Sequence, residues 1–154
     1  MHHSKRRLTS LLLGTLACAF SAPHALAADR GCVPVVRDAW IRMPPMAMPM
    51  LAAFARIDNG CANAAVIVGA SSPAFGSVEL HESTLVDGIS RMRAVPRLPV
   101  AGGSSRQMKP GGLHLMLMQP RVMPKLGEKL RVDFELSDDR TLHGEFEVRA
   151  ADAR

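Results

Sequence analysis

The sequence reads as an all-β protein, an antiparallel sandwich or barrel built from short strands. Its apolar residues never hold a helical period for long. Instead, short runs alternate apolar and polar residues at period two, the signature of strands with one face buried. Gly, Pro, Asn and Asp turn signals separate these runs at near-regular spacing, as in sandwiches and barrels. No internal repeat, low-complexity tract or linker interrupts the pattern.

The first 27 residues stand apart from it. Lys5, Arg6 and Arg7 form a positive segment, an apolar run follows over 8–20, and Ala25-Leu26-Ala27 is a small-x-small cleavage site. This is the pattern of a secretory signal peptide. Residues 1–27 are therefore expected to leave, and 28–154 to form one domain. A competing reading places a lipid on Cys18 after Thr15-Leu16-Ala17, where the order of Thr and Leu is poor for that modification. No second apolar run approaches the roughly 20 residues of a membrane helix, so the expected product is exported, periplasmic and without stable membrane insertion. Of its 19 Lys and Arg, three lie in the leader, leaving 16 against 14 Asp and Glu. With no long basic run and few aromatics, nucleic-acid binding is not expected.

Taken in order, the strands follow from alternation and the turns from composition. Residues 35–41 read as a first strand with Trp40 as a large buried side chain. Residues 43–50, with three prolines, cannot make a regular ladder and read as a loop. A second strand over 51–57 ends at the turn signal Asp58-Asn59-Gly60, and a third covers 64–69. A fourth runs over 77–81, then a turn at Val86-Asp87-Gly88, then a strand over 91–95. A short strand covers 98–100, and the turns Ala101-Gly102-Gly103 and Lys109-Pro110-Gly111-Gly112 flank 106–108. Residues 113–118 alternate Leu with His or Met: Leu113, Leu115 and Leu117 are expected in the core, with His114, Met116 and Met118 on the opposite face. Strands at 128–136 and 141–148 form a final hairpin, where His143 reads as a surface residue.

After the leader, two cysteines remain, Cys32 and Cys61. In an oxidising compartment they are expected to form one structural disulfide. It would close a loop of about 30 residues and stabilise the fold by about 3 kcal/mol.

The chemistry concentrates between His81 and Met116. His81, Met92, His114 and Met116 are spaced as His, ten residues, Met, twenty-one residues, His-x-Met. Two imidazoles and two thioethers form a soft, uncharged donor set that suits Cu(I) and is poor for magnesium or calcium. Singly, a Met on a strand is more often packing and a His more often a surface residue, so the weight rests on the constellation. Two of the three histidines beyond the leader fall in it. Only the histidines take up protons, so Cu(I) affinity is expected to fall as pH drops through the imidazole range near about 6.5. No catalytic base stands beside an activated nucleophile, and a carrier is expected rather than an enzyme. Met46, Met48 and Met50 could form a second soft-metal patch or a rim over the site. The preferred reading makes Met50 the start of a core strand and the others adaptable loop packing. Met118 is a candidate accessory group beside the metal.

The spacing of these four residues resembles the full signature of the PCuAC family of periplasmic copper chaperones. The stretches Asp38-Ala39-Trp40-Ile41-Arg42, Val78-Glu79-Leu80-His81-Glu82 and 109–118 resemble the family's corresponding segments, so the likeness covers nearly all of 28–154. It implies a cupredoxin-like Greek-key β fold, and a Cu(I) site on loops and strand ends, partly open to solvent. It also implies a role in carrying copper toward cytochrome c oxidase assembly. The implied partners are an apo copper-accepting protein, foremost cytochrome c oxidase subunit II, and a thioredoxin-like copper protein. Many members carry Met two residues after the first His, where this chain has Ser83.

Rival readings remain open on the sequence. Copper storage or tolerance would use the same site. A cupredoxin-like electron carrier would need a Cys thiolate beside two His. A monooxygenase with an N-terminal His brace would need His at the mature terminus, expected here to be Ala28. A metal-free adhesion or assembly module would bind no Cu(I).

Overall fold

The computed structural model describes residues 31–46 and 48–153, all strands and turns. The expected leader, Cys18 and Ala28 lie outside the described residues. Among those described, no helix is long and apolar enough to cross a membrane.

Ten strands form: β1 (Val35–Arg42), β2 (Met50–Asn59), β3 (Ala65–Ser71), β4 (Phe75–Val86), β5 (Ile89–Ala94), β6 (Leu98–Val100), β7 (Ser104–Gln107), β8 (Leu113–Pro120), β9 (Lys129–Leu136) and β10 (Thr141–Arg149). Seven of them close a barrel in the order β3-β4-β8-β2-β1-β10-β9 and back to β3. The connections from β2 to β3 and from β8 to β9 join strands that are not neighbours, the Greek-key feature. Of the two architectures the alternation allowed, the chain takes the barrel, and closure leaves open edges only on the short strands β5, β6 and β7. β1 and β10 run parallel, while the other described pairings are antiparallel.

Inside, alternation along each strand delivers one side chain in two to a single core. Leu113, Leu115 and Leu117 enter from β8, Val132, Phe134 and Leu136 from β9, and Phe146 and Val148 from β10. Phe134 and Phe146 pack with ring centroids 6.3 Å apart. Cys32 and Cys61 are joined in a disulfide. Beside it, Asn59 is buried: its amide donates to the carbonyls of Asn63 and Val100 and accepts from the Cys61 N–H. The turn signal at 58–60 thus hides a fully satisfied polar clamp.

Two departures from the sequence reading matter for the site. First, β4 does not stop at His81 but continues to Val86 and turns back as β5. Asp87 and Gly88 take φ of 51° and 77°, the left-handed pair of a two-residue hairpin turn. Alternation fades after His81 because much of the hairpin beyond it is exposed, so no core imposes a period there. Second, a β-bulge lies between Arg37 and Trp40, where three steps on β1 oppose two on β2. Asp38, at φ 50°, supplies the left-handed residue. The extra residue reverses the alternation. Val36 packs toward the core, yet Trp40 pairs with Phe54 on the outer face, and Ile41 with Ala53 takes the inner one. Trp40 is buried as expected, but outside the barrel.

Candidate metal centre

Three adjacent strands, β5, β4 and β8, bring the predicted ligands to one outer face. His81 and His114 are direct cross-strand partners on β4 and β8, with ring centroids 6.1 Å apart. Met116 sits two residues beyond His114 and pairs with Glu79 on one side and Ala52 on the other. Met92 pairs with Ser83, two residues beyond His81 in the other direction. The two histidines therefore form the middle step, with one thioether above and one below. Residues two apart on a strand are separated by roughly 7 Å, a gap that a methionine side chain spans by leaning toward the middle. Met92, 54% exposed, stands at the open rim, whereas His114 is 6% exposed. All four predicted ligands lie within strands, His114 at the start of β8 just after the Gly111-Gly112 turn, and none lies on a loop. Cross-strand register, rather than loop shape, sets their spacing.

Each imidazole is oriented by a hydrogen bond from its other nitrogen. His114 Nδ1 lies 2.8 Å from the Gly112 carbonyl. A carbonyl only accepts, so Nδ1 carries the proton and Nε2 keeps a free lone pair. The Lys109-Pro110-Gly111-Gly112 turn places that carbonyl. Gly111 takes φ 76° there, with Gly112 N–H donating back to the Lys109 carbonyl. His81 Nε2 lies 3.0 Å from a Glu79 carboxylate oxygen, and its Nδ1 is buried with no hydrogen-bond partner. A buried nitrogen with an unmet lone pair costs free energy unless something binds it. Carboxylate or carbonyl bonds to the far nitrogen of a ligating histidine are the usual support of a metal site. The donor set thus fits a soft cation. Among the described residues no group of three His, Cys, Asp or Glu forms an alternative cage.

Behind the histidines stands an aromatic wall. Phe54 lies 6.4 Å from the His114 ring and 4.6 Å from Trp40. The Arg42 guanidinium covers both rings, 5.1 Å from the Phe54 centroid and 5.4 Å from that of Trp40. The sequence reading did not single out Phe54, Arg42, Glu79 or the Gly112 carbonyl as site groups. Their membership depends on register, and Glu79 alone carried a local sign, two residues before His81 on the same strand face.

The accessory candidates divide. Met118 pairs with Met50 across β8 and β2, on the same face as Met116. Met50 begins β2 as expected, but it does not enter the core: it is 38% exposed. Its partner Met118 already faces outward, and antiparallel pairing obliges Met50 to follow. Met46 and Met48 are 72% and 44% exposed. His143 lies on the surface with its Nδ1 2.7 Å from Asp133.

A family described as "Putative lipoprotein LpqE-like" matches residues 35–148. The chain is 31% identical over 137 residues to "Putative lipoprotein Lxx21020" of Leifsonia xyli subsp. xyli, covering 87% of this chain and 81% of that one. Among solved structures it is similar to Cu(I)-bound DR1885 from Deinococcus radiodurans, with TM-score 0.60, 28% identity, and 82% and 86% of the two chains covered. The copper-bound PCuAC domain of PmoF2 shares the fold, with TM-score 0.61 at 18% identity over 75% of this chain and 91% of that domain. By its match over most of its length, the chain belongs to the LpqE-like family of PCuAC-type domains.

Proposed function

We propose that this protein is an exported Cu(I) carrier that binds one ion through His81, Met92, His114 and Met116 and hands it to an apo copper-accepting protein. The observation that carries this is the histidine pair: two cross-strand imidazoles, each tied at one nitrogen, with the other nitrogen of His81 buried and without a hydrogen-bond partner. The likeness to a Cu(I)-bound relative supports it. Uncharged donors around a monovalent ion leave a site charge of about +1, and thioethers favour Cu(I) over Cu(II). Met92 at the exposed rim is the ligand that an incoming donor displaces first, so copper moves by ligand exchange without a change of oxidation state. That exposure favours transfer over storage or tolerance. An electron carrier of blue-copper type would require a free thiolate, and Cys32 and Cys61 are consumed by their bond. We place the protein in a periplasm, with cytochrome c oxidase subunit II as the receiving protein and a thioredoxin-like copper protein working alongside.

The test is an anaerobic Cu(I) titration against a chromophoric Cu(I) chelator, beside a Met92→Ala, Met116→Ala double variant. One tight equivalent in the parent, much weakened in the variant, is the expected result. Equal binding in both would overturn the site.

A further inference from the structure

At and just before the start of β2, Met46, Met48 and Met50 present large apolar side chains to solvent, 72%, 44% and 38% exposed within five residues. Packing does not explain this, since methionine used as a gap filler is covered. Met48 and Met50 flank a fixed point of the chain. The Pro49 carbonyl accepts the Gln119 N–H at 2.7 Å, which clamps the segment to the end of β8. Met50 and Met118 are cross-strand partners, with Cβ atoms about 5 Å apart. Met48 precedes Met50 by two positions, next to the clamped Pro49. Among the described residues, no cluster of His, Cys, Asp or Glu competes for a cation in this region.

From these placements we infer a second soft-cation site, distinct from the histidine pair, in which Met48, Met50 and Met118 supply three thioethers and Met46 a fourth from the loop. Its ligand is a monovalent soft ion, Cu(I) or Ag(I). Three or four neutral thioethers bind such an ion without taking up or releasing protons. Lacking imidazole, the site is weaker than the histidine centre. It also adjoins that centre: Met118 and Met116 are two apart on one strand face, roughly 7 Å. An ion held at the outer site passes inward as Met116 replaces one of the outer thioethers, with Cu(I) remaining Cu(I) throughout. The direction of that transfer rests on the carrier role proposed above, whereas the existence of the outer site does not.

Silver titration of the purified protein with methyl-13C methionine separates the two. Silver is a redox-inert stand-in for Cu(I). The first equivalent is expected to move the methyl signals of Met92 and Met116, and the second those of Met48, Met50 and Met118. In a Met48→Leu, Met50→Leu, Met118→Leu variant, which keeps side-chain volume at two exposed positions and one half-buried position, uptake should fall from about two ions to about one. Saturation of the parent at one ion, or a second ion retained by the variant, would overturn the outer site. Movement of Met48, Met50 and Met118 while Met92 and Met116 stay still would uphold the outer site and sink the histidine centre instead.

Discussion

Glu79 shows how a single residue sets the metal chemistry. Its carboxylate holds the His81 Nε2 proton, which leaves Nδ1 as the donor and makes the ring more basic toward a cation. Glu79→Gln should therefore weaken Cu(I) binding by about tenfold in chelator competition, with no loss of fold, because Glu79 is half exposed. A residue away from the site carries a pH signature. Burial pushes the Asp133 carboxyl up, but hydrogen bonds from Arg131 and His143 outweigh this and hold it below the usual carboxylate range. A carboxyl depressed in the folded state contributes stability that is present above its unfolded value, near about 3.9. That contribution is lost as pH falls through the folded value. Urea midpoints should drop between about pH 5 and 3, and Asp133→Asn should flatten that drop. An unchanged slope would mean other carboxylates dominate.

Among the elements that carry the predicted ligands, β5 is the least anchored. β5 is exposed along its length and pairs only with β4. Glu82 and Arg93 bridge the two strands at 2.8 Å on the face away from His81, an exposed pair worth at most about 1 kcal/mol. Met92 therefore rides on an element that opens at low cost, which suits a ligand that must release its ion. In the proposed site, Cu(I) would tie Met92 to the barrel through His81, His114 and Met116. Amide exchange over 83–93 should slow on copper loading, while β9 and β10 stay unchanged. Equal protection with and without copper would show that Met92 does not close on the ion. β8 is the buried counterpart: Leu115, fully buried, lies between His114 and Met116, the two predicted ligands on that strand. Leu115→Ala should cost about 2–5 kcal/mol and also loosen Cu(I) binding.

The whole molecule separates stabilisation from function by distance. The disulfide and the Asn59 clamp lie at the end of β2 opposite Ala52, which borders Met116. There the Arg140 guanidinium also donates to the Cys32 carbonyl. Cys32→Ser, Cys61→Ser should lower unfolding free energy by about 3 kcal/mol in denaturant melts while Cu(I) affinity holds. A matching loss of affinity would show that the closed barrel transmits the change across its length.

How legible the molecule was from its sequence follows from how local each feature is. The alternation of Leu113 to Met118, the turn residues and the donor set His81, Met92, His114 and Met116 are properties of short stretches or of residue type. They sufficed for an all-β chain and a soft-metal hypothesis, and the cysteine count for the disulfide. Only the tertiary structure decided that β4 runs past His81 and that the bulge at Arg37 to Trp40 turns the tryptophan outward. It also set Phe54 and Arg42 behind His114, and Met50 outside the core beside Met118. Each of these depends on which strand lies alongside and in what register. One residue of slip exchanges the two faces of a strand, and nothing within the strand's own sequence states which register its neighbour will take.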